Sequence, residues 1–231
     1  MDHFQNIYAG KASEYHRMID VEDADGNLLH TLKQITTWQH KTVIDMGSGT
    51  GRFPLLLQRE QCRFICLDLF YAMLAESKHR RDEQEGDWSL LQGDMRSLPL
   101  AAECGDLAIA GWAMGHSCAW YGDGWQAQIG RMLKEMQRVT RPGGFNIICE
   151  TMSTGSLVPR PPAEALAEYY HWLEEEHGFS AEVIQTDYRF DTIDQAVEYT
   201  GFFFGADLAA QIRANNWTRL PEWTGIWYRR V

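Results

Sequence analysis

The chain has 231 residues, 45% of them hydrophobic, and a formal net charge of −11. That apolar fraction supports a buried core and excludes wholesale disorder, while the acidic balance argues against DNA, RNA and anionic lipid as partners. No Lys/Arg cluster exceeds pairs such as Arg80–Arg81 and Arg229–Arg230, so the basic face that phosphate backbones require is missing.

Residues 1–41 read as helices separated by a turn at "DADGN", Asp23 to Asn27. From residue 42, short apolar strands alternate with amphipathic helices. "TVIDM" is a strand and "GRFPLLLQRE" a helix; "CRFICLD" is the next strand and "FYAMLAESKHRRDE" the next helix, its basic end suited to the helix dipole. "WSLLQGD" and "CGDLAIAGWA" are further strands. Ile129, Met132, Leu133, Met136 and Val139 recur at helical spacing in "GWQAQIGRMLKEMQRVT", which "RPGG" is expected to stop before a fifth strand, "FNIICET". This alternation predicts an α/β fold with a largely parallel sheet covered on both faces.

The tail changes character. "PPAEALAEYYHWLEEEHGF" reads as a helix with proline at its start, and "AEVIQTDYRF" as a strand polar on one side. Helical patches around Ile193–Tyr199 and Ala206–Asn215 precede "EWTGIWYRR", expected to pair antiparallel with the strand before it. The expectation is seven strands in one domain, divided as residues 1–41, a core of 42–151 and a finish of 152–231.

Five cysteines, Cys62, Cys66, Cys104, Cys118 and Cys149, form no C-x-x-C pair, which speaks against a zinc site or a disulfide framework. The apolar run "LAIAGWAMG" is shorter than the roughly 20 residues a bilayer needs, and no secretory leader opens the chain. A cytoplasmic location is the expectation.

"VIDMGSGTGRFPLLL", residues 43–57, places three glycines in a strand-to-helix junction, the standard device for bringing backbone close to part of a nucleotide-like ligand. Gly47, Gly49 and Gly51 form G-x-G-x-G. The dinucleotide fingerprint needs a glycine where Arg52 stands, and the phosphate-loop lysine is missing too.

This stretch resembles the first motif of the class I S-adenosylmethionine-dependent methyltransferases. The resemblance continues in register through "CLDLF", "GDM", "CGDLAIAGWAMGH" and "MLKEMQRVTRPGGFNIICE". It implies a Rossmann-like, doubly wound sheet of seven strands with an antiparallel last strand and a helical cap, and S-adenosylmethionine as cofactor. It further implies that Gly47, Gly49 and Gly51 let the backbone lie against the cofactor's amino-acid and ribose portion. Asp45 would organise the loop and meet the ammonium, and Asp68 would accept from both ribose hydroxyls, a task suited to a carboxylate's two oxygens. Leu69 and Met95 would pack on adenine, Asp94 would accept from its amine, and Trp112 would lie near the methionine end.

"IYAGKASEYH" resembles the N-terminal lid of small-molecule methyltransferases, which makes Tyr15 a candidate for the cofactor carboxylate. Aromatic residues crowd the segments expected to build the acceptor pocket, among them Tyr8, Trp120, Tyr121 and "GFFFG" at 201–205. Aromatic faces suit a cationic amine or a flat ring. His116 is the candidate general base, with Glu150 behind it. The leading expectation is methyl transfer to the nitrogen or oxygen of a small molecule, without nucleic acid, membrane or metal. A non-catalytic cofactor-binding module and a nicotinamide-dependent oxidoreductase are the alternatives.

Overall fold

The computed structural model describes residues 2–231. In chain order its strands are β1 (Thr42–Met46), β2 (Arg63–Asp68), β3 (Ser89–Gln92), β4 (Gly105–Gly111), β5 (Thr140–Thr154), β6 (Ser180–Gln185), β7 (Tyr188–Arg189), β8 (Arg219–Leu220) and β9 (Glu222–Arg230). The helices are α1 (His3–Gly10), α2 (Ala12–Asp20), α3 (Asn27–Ile35), α4 (Arg52–Leu56), α5 (Tyr71–Glu83), α6 (His116–Tyr121), α7 (Trp125–Val139), α8 (Glu164–Glu175), α9 (Ile193–Phe204) and α10 (Ala206–Asn215).

Seven strands form one sheet in the order β3-β2-β1-β4-β5-β9-β6, while β7 and β8 pair separately. The first five pair in parallel, and β9 runs antiparallel to both β5 and β6. This is the mostly parallel, doubly wound sheet with an antiparallel last strand that the alternation of elements implied. Its central strands are buried on both faces, which explains why "VIDM" and "LAIA" are runs of apolar residues instead of alternating ones.

Two cores flank the sheet. On one face the apolar stripe of α7, with Ile129, Leu133 and Met136 at most 3% exposed, packs with Tyr169 and Leu173 of α8 against Ile44, Ala108 and Ile148. On the other, Leu28 and Leu32 of α3 and Phe53 of α4 cover Val43, Phe64 and Ile109. Burying each such side chain contributes roughly 1.5–3 kcal/mol, so these two layers fix where the strand ends, and hence the site, are held. A third cluster joins Met18 and Ile19 of α2 to α9, α10 and β7–β8, and so ties the first helices of the chain to the last.

Several boundaries depart from the sequence expectation. The segment "GRFPLLLQRE" is a five-residue helix followed by a 3-10 turn at Gln58–Glu60, because Leu57 leaves helical geometry at φ −102°, ψ 13°. "RPGG" does not separate α7 from β5: the strand begins at Thr140, and these residues form a bulge where the pairing with β4 shifts. Pro161 and Pro162 precede α8 without joining it. "AEVIQTDYRF" is broken at Thr186–Asp187, where the Asp187 carboxylate accepts from the Glu222 amide at 3.0 Å and from Arg219 Nε at 2.7 Å instead of continuing a ladder. Among the described residues, no helix is long and apolar enough to cross a membrane.

Candidate active site

The chain order reverses around β1, which lies between β2 and β4. Connections leaving the sheet in opposite directions there open a crevice at the carboxyl ends of the strands, where open α/β sheets bind ligands. Gly47, Gly49, Asp68, Leu69, Asp94, Met95, Trp112 and His116 all line this crevice, together with Tyr15 of α2. Residues far apart in sequence thus meet at one place.

The glycines separate into two roles. Gly47 (φ +79°) lies so close to the turn after β4 that a Cβ there would stand 2.7 Å from the Ala113 Cβ and 3.1 Å from Met95 Cε. A side chain would both strain the backbone and fill the crevice. Gly49 faces open space apart from Tyr15, and its amide donates to Asp68 Oδ2 at 2.8 Å. Gly51 does not line the crevice: its Cβ would meet Ser77 Oγ at 2.8 Å and the Trp88 ring. At Gly51 the glycine turn packs closely against α5.

Asp68 ends β2 only 7% exposed, with Oδ1 accepting from the Phe70 amide at 2.8 Å and Oδ2 from Gly49. Burial pushes its carboxyl up to about 6, and the backbone amides of Phe70, Gly49 and Leu69 restrain that rise. Each oxygen keeps a second lone pair, so the carboxylate is held in a fixed orientation with capacity for two more donors. Leu69, next in sequence, is 48% exposed at the crevice edge, unlike an ordinary core leucine. Asp45 at the end of β1 is fully buried, and neither carboxylate oxygen has a hydrogen-bond partner. Burial first, and the neighbouring Asp68 second, push it well above the usual carboxylate range.

Asp94 is taken up by Arg96: the guanidinium Nε and Nη2 both donate to its carboxylate, and this holds the carboxyl below its usual range. Arg96 also lines the crevice and extends Nη1 to Tyr121 Oη and Gln128 Oε1. Trp112 adopts φ +49°, an uncommon conformation for a large side chain. Its ring lies parallel to Phe53, and the Arg52 guanidinium stands 4.4 Å from its centroid. Arg52 in turn donates to Glu22 at 2.5 Å in a largely buried ion pair. The N-terminal segment thereby clamps the turn after β4 from behind.

His116 begins α6. Its Nε2 shares a 2.8 Å hydrogen bond with Tyr8 Oη of α1, and its ring stacks on Trp120 at 5.1 Å and 12°. Burial lowers its pKa to about 4, so the imidazole is neutral at physiological pH. Phe4 of α1 and Phe203 of α9 cover the Tyr8–His116 pair. Glu150 does not end its strand, since β5 continues to Thr154, and it does not line the crevice. Its Oε1 accepts from the Gly115 amide at 2.8 Å, and burial pushes its carboxyl up to about 8. It supports the turn before His116 from beneath.

Arg52, Phe70, Met73 and Arg96 were given no site role from the sequence. Arg52 and Arg96 each adjoin a recognised motif, after G-x-G-x-G and after "GDM" respectively, which was the available signal.

The match to other proteins follows the same boundaries. The methyltransferase-domain family matches residues 44–148. The chain is 32% identical over 143 residues to the malonyl-[acyl-carrier protein] O-methyltransferase of Pectobacterium atrosepticum, covering 62% of this chain and 50% of that protein. It is 34% identical over 152 residues to the protein of the same description from Yersinia pestis, covering 63% and 51%. The chain thus spans about half the length of these curated relatives. A S-adenosylmethionine-dependent methyltransferase from Aquifex aeolicus superposes with a TM-score of 0.59 at 14% identity, over 95% of this chain and 98% of that one, and so shares its fold. The sheet order, the glycine turn facing Asp68 and the match over residues 44–148 agree, and this core of the chain is similar to the methyltransferase-domain family.

Proposed function

We propose that this chain transfers a methyl group from S-adenosylmethionine to a small-molecule acceptor. The observation that carries the reading is the fixed carboxylate of Asp68 beside the bare backbone at Gly47 and Gly49, with the exposed Leu69 next to it. The residues present fit the cofactor. Two free lone pairs on Asp68 match a pair of ribose hydroxyls, and Leu69 and Met95 offer apolar surface for a flat base. Asp45, fully buried and outside the crevice lining, would organise the glycine loop from beneath it. Asp94 has both oxygens engaged by Arg96, and its role toward adenine would use the remaining lone pairs.

When bound, the sulfonium supplies an electrophilic methyl group. The protein's part is to align the acceptor, exclude water and receive a proton where the acceptor carries one. Residues 1–41 would act as a lid: Tyr15 borders Gly49, and Tyr8 closes onto His116. The neutral His116 imidazole, bonded through Nε2 to the Tyr8 hydroxyl, would relay a proton rather than hold one, because the burial that keeps it neutral also opposes its protonation. The curated relatives named above act, by their descriptions, on a malonyl group carried by an acyl-carrier protein; this supports oxygen as the acceptor atom.

Titration calorimetry with S-adenosylmethionine, S-adenosylhomocysteine and NADH tests the reading, followed by transfer of a labelled methyl group to amine, phenol and carboxylate compounds. We expect both adenosyl ligands to bind and NADH not to. Binding without transfer to any compound would favour the non-catalytic module, and NADH binding alone would overturn the assignment.

A further inference from the structure

We propose that the acceptor is a neutral, hydroxyl-bearing planar molecule, oriented by the indole N–H of Trp120; the proposal rests on the methyltransferase reading above. Its basis is the charge inventory of the crevice. Among the residues lining it, only Asp68, Asp94 and Arg96 carry charge in their usual states. Arg96 has Nε and Nη2 on Asp94, and Nη1 on Tyr121 and Gln128, so the pair is internally neutralised. Asp68 stands at the ribose position. A carboxylate acceptor would therefore be buried without a free cation, and an ammonium acceptor without a free anion, and an unpaired buried charge is strongly disfavoured.

A neutral oxygen acceptor meets no such penalty, and the crevice holds a donor for it. Trp38, Trp88, Trp172, Trp223 and Trp227 each donate their indole N–H to a protein oxygen or hydroxyl. Trp120 lines the crevice, and its buried Nε1 has no partner. A buried donor left alone is costly, and a ligand oxygen accepting from it would remove that cost. The same ring stacks on His116, so an oxygen accepting from Trp120 is placed beside the imidazole. Tyr8 and Phe70, which also line the crevice, add aromatic walls suited to a flat molecule, and Phe4 and Phe203 back Tyr8 and His116 from outside it.

The step balances. A lone pair of the acceptor oxygen forms the new C–O bond as the C–S bond breaks and its electron pair returns to sulfur. The hydroxyl proton passes to the neutral His116 and from it to solvent, leaving a methyl ether and a neutral thioether. Burial keeps the imidazole unprotonated beforehand.

Three probes alike in size separate the classes: p-cresol, benzoate and benzylamine, titrated by calorimetry into the full chain saturated with S-adenosylhomocysteine. We expect p-cresol to bind at least ~10-fold more tightly than either charged probe, and Trp120→Phe to weaken p-cresol about 5-fold or more while leaving S-adenosylhomocysteine affinity unchanged. Equal or tighter binding of benzoate or benzylamine, or no p-cresol binding at millimolar concentration, overturns the proposal. Unchanged p-cresol affinity in a folded Trp120→Phe chain removes Trp120 from it, and should that variant not fold, the ranking of probes on the native chain decides alone. Failure of S-adenosylhomocysteine itself to bind would instead remove the methyltransferase reading.

Discussion

The two ends of the crevice are built on opposite principles. At the donor end, the contacts come from strand termini and main chain: Asp68 is fixed by two amides, and Gly47 presents bare backbone. At the acceptor end they come from side chains on helices drawn from distant parts of the chain, with α1 and α6 contributing Tyr8 and His116, and Phe203 of α9 backing Tyr8. The first is pinned to the sheet, whose central strands are buried on both faces. The second is held by ring contacts and one hydrogen bond, each worth about 1 kcal/mol or less. Rigid recognition of one invariant ligand and adjustable recognition of another can thus coexist in one crevice.

Substitutions should respect this division. The largest effect is expected from Gly47→Val, where a branched side chain meets Ala113 in a left-handed backbone; cofactor affinity should fall on the order of 100-fold or more, and calorimetry showing near-native affinity would break the donor-end account. Asp68→Ala should weaken the cofactor at least ~10-fold, by loss of charge-assisted hydrogen bonds. Because Asp68 titrates near pH 6, native affinity should also weaken as pH falls through that value, and Asp68→Asn should flatten the profile.

At the acceptor end, His116→Gln should lower turnover about 10-fold with cofactor affinity intact, the low end of what positioned proton transfer contributes. Full turnover across the pH range would end the proton-acceptor role of His116. Between the two ends, Arg52→Met removes the cation behind Trp112 and strands Glu22. Cofactor affinity should drop about 3- to 5-fold along with the melting temperature, whereas a loss confined to stability would limit the clamp to folding.

The smallest effect concerns Glu150. Its folded pKa of about 8 exceeds the unfolded value, so the native state holds its proton after the unfolded chain has lost it, and stability declines as pH rises from about 4.5 to 8. Glu150→Gln keeps an oxygen for the Gly115 amide and should raise the melting temperature at pH 8 by a few degrees, with little change near pH 4. An identical shift at both pH values would show that the buried carboxyl is not the cause.

Legibility in the sequence follows the same division. The core elements were readable because strands buried on both faces leave unbroken apolar runs and α7 leaves a stripe at helical spacing; β1 and β9 fall on the expected residues. Positions fixed by main chain at strand ends, Asp68 above all, come with the motif. What local pattern cannot show is which side chain reaches across the fold. The Arg96–Asp94 pair, the Tyr8–His116 bond and the Glu22–Arg52–Trp112 stack join residues whose proximity depends on tertiary packing. The packing of Gly51 is hidden for a related reason: it shares its motif with Gly47 and Gly49, but its neighbour is α5.

The exposed Leu69 has a practical consequence. With Tyr71 at 71% exposure two residues on, it forms an oily lip beside the crevice. Purified without ligand, the protein should tend to self-associate through this lip, and S-adenosylhomocysteine in the buffer should suppress that by covering the leucine and by favouring the folded state through mass action.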